Sequence, residues 1–478
     1  MTPPRRQLGL SITAAIVVAN MVGTGIFTST GFQAAGLHDP PTILLLWIVG
    51  GVLALCGAAA YAELGSMMPR AGGEYVYLRE AYHPSLGFMS GWVSLTAGFS
   101  SPLALAALAF SLYLGKLFPV LEHAAWFHAT LGSGKWSFTI AFGAQHLVAM
   151  LLIAAITILH SFDTKIGGWV QAGFTAAKVV LIALFIIGGV AFGSGSWSNL
   201  TSQSGGLSNV LTKDFAVDML YVNLAYSGWN AAAYIASDVR RPAWTLPRSL
   251  LLGTGVVMAL YVLLNVVFLY AVPTSVLGGP PPVAEVGDVA ARALFGDSAG
   301  RLVTSVIALA LVSAVSAMIM AGPRVYAAMA ADRALPAKLA YHNKRGVPSV
   351  AVVVQGVLAC LFVLVGDLGA LMRFVAFTLN IFAGLAVGAV FILRARGVQS
   401  AYRTLGYPVT PILFIGLNLW ITYAQIDANP KESLIVAVLL AVGGVVYWTS
   451  AGGKPPIPNE NNPVDDAPLP QARVVSSD

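Results

Sequence analysis

From Leu8 to about residue 450 the chain is a succession of apolar runs of about 20 residues or more, joined by short polar segments. A helix rising about 1.5 Å per residue crosses the ~30 Å hydrocarbon core of a bilayer in about 20 such residues. Inside lipid, every backbone N–H and C=O must be satisfied within its own segment or within a closed barrel. Barrel strands alternate apolar and polar residues over about 10 positions, and these runs do not alternate. They read as helices. Charge supports this: only 10% of residues are Asp, Glu, Lys or Arg, and 57% are hydrophobic. A soluble chain carries about 25% charged residues, so there is no charged shell to dissolve a core of this size. The sequence therefore predicts an all-α integral membrane protein.

Twelve transmembrane helices are expected, at 8–36, 42–66, 86–117, 144–162, 167–192, 214–238, 247–272, 301–331, 348–366, 369–394, 409–427 and 432–450. An even number puts both termini on one side. Of the 26 Lys and Arg, seventeen fall on that side and seven on the other, while Lys178 and Arg324 lie within spans. Cytoplasmic loops carry the excess of Lys and Arg, so both termini are expected to be cytoplasmic. The same bias accounts for the net charge of +6 without invoking nucleic acid. Arg5 and Arg6 precede a run too long for a typical signal core, which is read as a retained first span. The tail 451–478 has six prolines in 28 residues and is expected to be disordered. The connection 273–300 is long enough for a short surface helix. Cys56 and Cys360 both lie in apolar runs and read as packing residues, not as a disulfide.

Two spans carry interruptions. In the first, Gly23 and Gly25 flank Thr24; in the sixth, Gly228 sits among Asn223, Ser227 and Asn230. Each glycine weakens a helix by about 1 kcal/mol relative to alanine. The two spans correspond if the first ten form two repeats of five, and interrupted segments at matching positions point to a transport site. An unwound segment exposes backbone groups that lipid cannot satisfy but a cavity can use. A freed half-helix N-terminus suits a carboxylate, and freed carbonyls suit an ammonium group. Together they match the backbone of an α-amino acid. Glycine also serves simply to let membrane helices pack closely, and the glycines alone leave the two readings level.

Four ordered motifs carry a family resemblance: Gly23-Thr24-Gly25-Ile26-Phe27; Pro69 to Tyr77, with Gly72-Gly73-Glu74 at its centre; Tyr226-Ser227-Gly228-Trp229-Asn230, followed by Asp238 and Pro242; and Gly322-Pro323-Arg324-Val325-Tyr326, with Asp332 and Pro336. Across residues 8 to about 450 the chain resembles the amino acid–polyamine–organocation superfamily, and within it bacterial relatives of the L-type amino acid transporters. The resemblance implies five-plus-five inverted repeats, about 8–192 and 214–394, plus two further helices at about 409–450, in a bacterial inner membrane. It implies that the backbone around Val22, Gly23, Thr24 and Gly25 binds the substrate carboxylate. Carbonyls near Ala225 and Ser227, beside Gly228, would bind the amine. Asn20 would be a polar neighbour of the substrate, and Tyr226 and Trp229 aromatic gate or pocket residues. Asp238 stands where the family more often has Glu. It is expected either to pair with Arg240, Arg241 or Arg324 as a cytoplasmic gate or to be a solvated charge at a helix end. Some relatives are disulfide-linked to a heavy subunit through a cysteine between the third and fourth helices. The segment 119–143 has none, so no such partner is expected.

Lys178 lies about 16 Å or more from either end of the fifth span, too deep for its side chain to reach the interface. An ionisable residue at that depth is a functional candidate. The resemblance implies that its ammonium takes the place of a sodium ion, bonding carbonyls near Met21 and Val22 and a hydroxyl such as Ser313 or Ser316. Transport would then be sodium-independent; proton coupling through Lys178 is the alternative. Central parts of the third, sixth, eighth and tenth spans contain no Asp or Glu, which favours neutral L-amino acids. Aromatic rings also hold cations, so cationic amino acids or polyamines are the second choice. The seven scattered histidines form no metal-ligand spacing, and no ring of charge or filter sequence suggests a channel. No enzyme activity, cofactor or metal is expected. Exchange, proton symport and facilitated diffusion stay open.

Overall fold

The computed structural model describes residues 8–69, 72–122, 126–132, 138–162, 165–201, 206–331, 334–364 and 368–450. The expected tail from 451, together with Arg70, Ala71 and Asp332 of the motifs, lies outside them. Side chains of residues 165–172, 174 and 175 are likewise not described.

A helix occupies every one of the twelve expected segments. In chain order these are α1 (Leu10–Met21) and α2 (Thr24–Leu37), α3 (Pro40–Met67), α4 (Glu74–Ala81), α5 (Pro84–Val93) and α6 (Ser101–Leu117). There follow α7 (Ala144–Phe162), α8 (Lys165–Phe192), α9 (Lys213–Tyr226), α10 (Ala231–Tyr234), α11 (Pro242–Ala271) and α12 (Thr274–Leu277). The last are α13 (Val286–Ala331), α14 (Ser349–Val363), α15 (Leu368–Ala395), α16 (Val409–Ala428) and α17 (Pro430–Ser450). Among the described residues, eight helices are long and apolar enough to cross a membrane, or nine if α1 and α2, bent by 42° at their break, count as one span. The apolar part of α8, Ala176–Phe192, and α14 are shorter. This is a multi-pass helical membrane protein.

Local chemistry sets the helix ends. Asp39 caps α3 by accepting from the Thr42 N–H at 3.2 Å, with Pro40 in the first helical turn, where a missing N–H costs nothing. Thr212 caps α9 by accepting from Phe215 N–H at 3.3 Å. Between α5 and α6 the helix widens into a π-helical turn, Ser94–Ser100. Ser100 and Ser101 hydroxyls donate to the carbonyls of Leu95 and Thr96, five residues back, so side chains help to satisfy the loosened turn.

Small residues line the helix crossings: Ala58, Ala60 and Ala62 of α3 and Ala104, Ala106 and Ala107 of α6 are fully buried. Small side chains let backbones approach closely where lipid supplies no hydrophobic drive between helices. Large apolar side chains instead face outward, such as Leu151 and Ile158 of α7, Leu184 and Ile187 of α8, and Val438 and Val445 of α17. An apolar exterior of this extent belongs in lipid.

Four features lie outside the sequence expectation. The segment 119–143 holds an antiparallel hairpin, β1 (Phe127–Leu131) with β2 (Phe138–Phe142), so the chain is helical in its spans but not all-α throughout. The segment after the second span folds into α4. The connection 273–300 holds not one short helix but α12 and the first turns of α13, which kinks at Gly296 (φ 79°). Finally, Leu8 pairs with the chain beyond α10. Its N–H donates to Asp238 O at 3.1 Å and its C=O accepts from Arg240 N–H at 2.9 Å.

Candidate functional site

The helix breaks fall at Val22–Gly23, between α1 and α2, and at Ser227–Asn230, between α9 and α10. They touch. A Cβ added at Gly25 would lie 2.6 Å from Ala225 Cα, and one at Gly228 would lie 2.8 Å from the carbonyl of Asn20. Gly228 also has φ +96°, a conformation other residues rarely adopt. The sixth span therefore breaks where it does because only glycine fits both the turn and the approach to α1.

Side chains satisfy the carbonyls freed at the first break. The Met21 carbonyl accepts from the Tyr261 hydroxyl of α11 at 2.7 Å. The Val22 carbonyl accepts from the Lys178 ammonium of α8 at 3.4 Å. Lys178 is buried, 4% exposed. Of the hydroxyls expected near it, Ser316 instead bonds His160 Nε2 of α7 at 2.8 Å; Ser313 is buried on α13. Tyr261 was not singled out in the sequence, because a tyrosine in mid-span reads equally well as packing.

Beside the breaks lies a cavity of about 610 Å³ lined by Asn20, Glu74, Asn223, Ser227, Trp229 and Arg324, among others. That falls within the ~300–1,000 Å³ typical of small-molecule sites. Tyr226 and Gly228 also line it; Val22, Gly23, Thr24, Gly25 and Ala225 do not and sit in the contact between the breaks. The cavity is one-sided. From the first broken helix it draws Ile16, Ala19 and Asn20 of α1 and nothing from α2. Eleven of the fourteen residues of α2 are buried. Thr30 donates to Asn265 Oδ1 at 2.6 Å, and Gln33 Oε1 accepts from Trp47 at 2.8 Å. The cavity extends along α1, whereas α2 is packed into the protein.

Aromatic residues frame it. Tyr226 donates to the Trp47 carbonyl at 3.1 Å and packs on the rings of Trp47 and Tyr261 at 5.8 and 5.2 Å. Trp229 meets Tyr61 edge-on at 4.7 Å and Phe414 at 6.2 Å. Arg324 is exposed toward the cavity. Asp238 is exposed, and among the described residues its carboxylate accepts only from Ser237, at 3.5 Å. Among the described residues it forms no ion pair with Arg240, Arg241 or Arg324, because at the surface water solvates it.

Two polar groups on the wall had no role assigned from sequence. Glu74, at the start of α4, accepts from Tyr61 at 2.6 Å and from Asn230 at 2.9 Å through the same oxygen. Burial pushes its carboxyl above the ordinary glutamate range, although both hydrogen bonds pull the other way. It belonged to a recognised motif, but nothing local in the sequence shows that α4 folds back against the sixth span. Asn223 was visible beside the break. Its partner, Asn380 of α15 at 3.0 Å, is 157 residues away and unreadable from spacing.

Residues 8–448 match the family model described as amino acid permease. Among curated proteins, the chain is similar to the b(0,+)-type amino acid transporter 1 of Mus musculus, 28% identical with 94% of this chain and 88% of that protein covered. It is also similar to the serine/threonine exchanger SteT of Bacillus subtilis (strain 168), at 28% identity with 93% and 96% covered. The large neutral amino acids transporter small subunit 2 of Homo sapiens matches at 28% identity, with 93% and 80% covered.

Proposed function

The chain belongs to the amino acid permease family, and from that premise we propose that it is a sodium-independent carrier of neutral L-amino acids working by alternating access. The observation that carries this reading is the meeting of two broken helices beside a cavity lined by α1 and not by α2. Unwound backbone offers N–H groups at Gly23, Thr24 and Gly25 for a carboxylate and carbonyls near Ala225 and Ser227 for an amine. The first set lies just behind the cavity wall, so in this reading substrate entry draws the breaks apart. Lys178 on the Val22 carbonyl supports sodium independence, since a fixed ammonium already supplies the positive charge there. The helix order supports two repeats of five spans plus two further helices. The Lys and Arg distribution supports cytoplasmic termini in a bacterial inner membrane. One relative is named a small subunit; this chain, with no cysteine in 119–143, works in our reading without a disulfide-linked partner.

Glu74 on the cavity wall favours a second reading, transport of cationic amino acids, because it supplies a carboxylate the sequence did not place there. Radiolabelled uptake into proteoliposomes, challenged by each of the twenty amino acids, separates the two. Competition by neutral L-amino acids supports the first reading and competition by arginine and lysine alone the second. Failure of every amino acid to compete refutes both.

A further inference from the structure

One wall of the cavity carries a chain of amides whose orientations are fixed by one another. Asn380 of α15 donates its Nδ2 to the Asn418 carbonyl at 3.1 Å and to the Thr422 hydroxyl at 3.3 Å. A backbone carbonyl only accepts, so the side of Asn380 that faces α16 must be its NH₂. Its Oδ1 therefore faces α9, where Asn223 meets it at 3.0 Å. Oxygen cannot donate to oxygen, so Asn223 in turn must present its NH₂ to Asn380. What is left is the Asn223 Oδ1. It accepts no hydrogen bond among the described residues, and Asn223, Asn380 and Asn418 all line the cavity. The ambiguity that usually attends an asparagine amide is removed by the backbone carbonyl at the end of the chain.

Asn223 lies one helical turn before Ser227, about 6 Å along the axis from the break. A substrate whose α-carboxylate and α-amine sit at the breaks projects its side chain over roughly that distance. We propose that Asn223 Oδ1 is the specificity-determining acceptor for the substrate's side chain, and that the preferred substrates are small amino acids with a side-chain hydroxyl. This rests on the amino acid reading of the site and deepens it. A hydroxyl donates to the waiting oxygen, whereas a methyl group of the same size leaves that oxygen without a partner once the cavity closes and water is expelled. A site with a placed polar group rejects the analogue lacking the matching group, and an apolar pocket does not strongly reject an added hydroxyl.

The test uses the full chain in proteoliposomes and two isosteric pairs, L-threonine with L-valine and L-serine with L-2-aminobutyrate, competing against radiolabelled L-alanine. In the wild type each hydroxyl compound should compete about tenfold better than its partner, as one net neutral hydrogen bond allows. In Asn223→Leu and in the smaller Asn223→Ala the ratio should fall to about one, whatever the absolute rate of alanine uptake in each variant. Equal competition by both members of each pair in the wild type overturns the proposal and does not depend on any variant folding. An unchanged tenfold preference in the folded Asn223 variants overturns the assignment to this residue. Absence of alanine uptake blocked by any amino acid overturns the amino acid reading itself, a distinct failure.

Discussion

Substituting Gly25 by alanine isolates the contact between the two breaks. The new Cβ would lie 2.6 Å from Ala225 Cα, 2.8 Å from its Cβ and 3.0 Å from its N. Carbon atoms rest at about 3.5–4.0 Å, so α2 and α9 must part by about 1 Å. Backbone atoms cannot rotate aside as a long side chain would. Overpacking of this kind costs about 1–3 kcal/mol. A misplacement of about 1 Å at a site that depends on positioned groups costs about a hundredfold in rate. At Gly23 the same added methyl would meet only the Met21 carbonyl, at 3.9 Å, so the fold should not register it. Thermal unfolding in detergent and initial uptake rates in proteoliposomes measure both effects. Gly25→Ala is expected to lose about 1–3 kcal/mol of stability and about two orders of magnitude in uptake, and the bulkier Gly25→Leu to lose substrate binding altogether. Gly23→Ala is expected to keep wild-type stability, so any loss of uptake there reports on substrate alone. Wild-type uptake in Gly25→Ala, or equal destabilisation by the two substitutions, would refute the reasoning.

Lys178→Ala should reduce uptake at least tenfold while the chain still folds, and a sodium gradient should not drive accumulation in the wild type; full activity in the variant, or sodium-driven accumulation, contradicts the role given to Lys178. N-acetylated and amidated amino acids should fail to compete for uptake, since the breaks offer partners to both α-groups; competition equal to that of the parent compounds places the substrate elsewhere. Glu74 has its folded-state carboxyl raised above the ordinary value by burial, so its contribution to stability is present below that ordinary value and is lost as pH rises through the raised one. Thermal stability should therefore fall with rising pH across that window in the wild type, and Glu74→Gln should flatten that part of the profile; an identical profile in both would remove Glu74 as the cause.

The spans were readable because apolar length and charge depletion are local properties, and the breaks because glycine at mid-span is a local anomaly. What closes around the breaks was not. Tyr261 reaches the Met21 carbonyl across 240 residues of sequence, and Asn223 meets Asn380 only because α9 packs on α15. The motif containing Glu74 was recognised, yet its place on the cavity wall depends on α4 folding back toward Asn230. The π-helical turn at Ser94–Ser100 likewise leaves no mark in hydropathy, since the widened turn changes the register of the side chains and not their character. Sequence supplied the parts that obey the bilayer; the parts that obey the substrate come from contacts between distant segments.

The pairing of Leu8 with residues 238–240 has a mechanical meaning. Two backbone hydrogen bonds yoke the start of α1 to the strand of chain leaving α10. Tilting one half-helix without the other would break both bonds, at a net cost of about 1 kcal/mol each. If the proposed transport cycle tilts these half-helices, the two bonds make them move together. Because the yoke is made of main-chain atoms, changing the side chains at positions 8 or 240 leaves it intact, whereas proline at either position removes one of its two N–H donors.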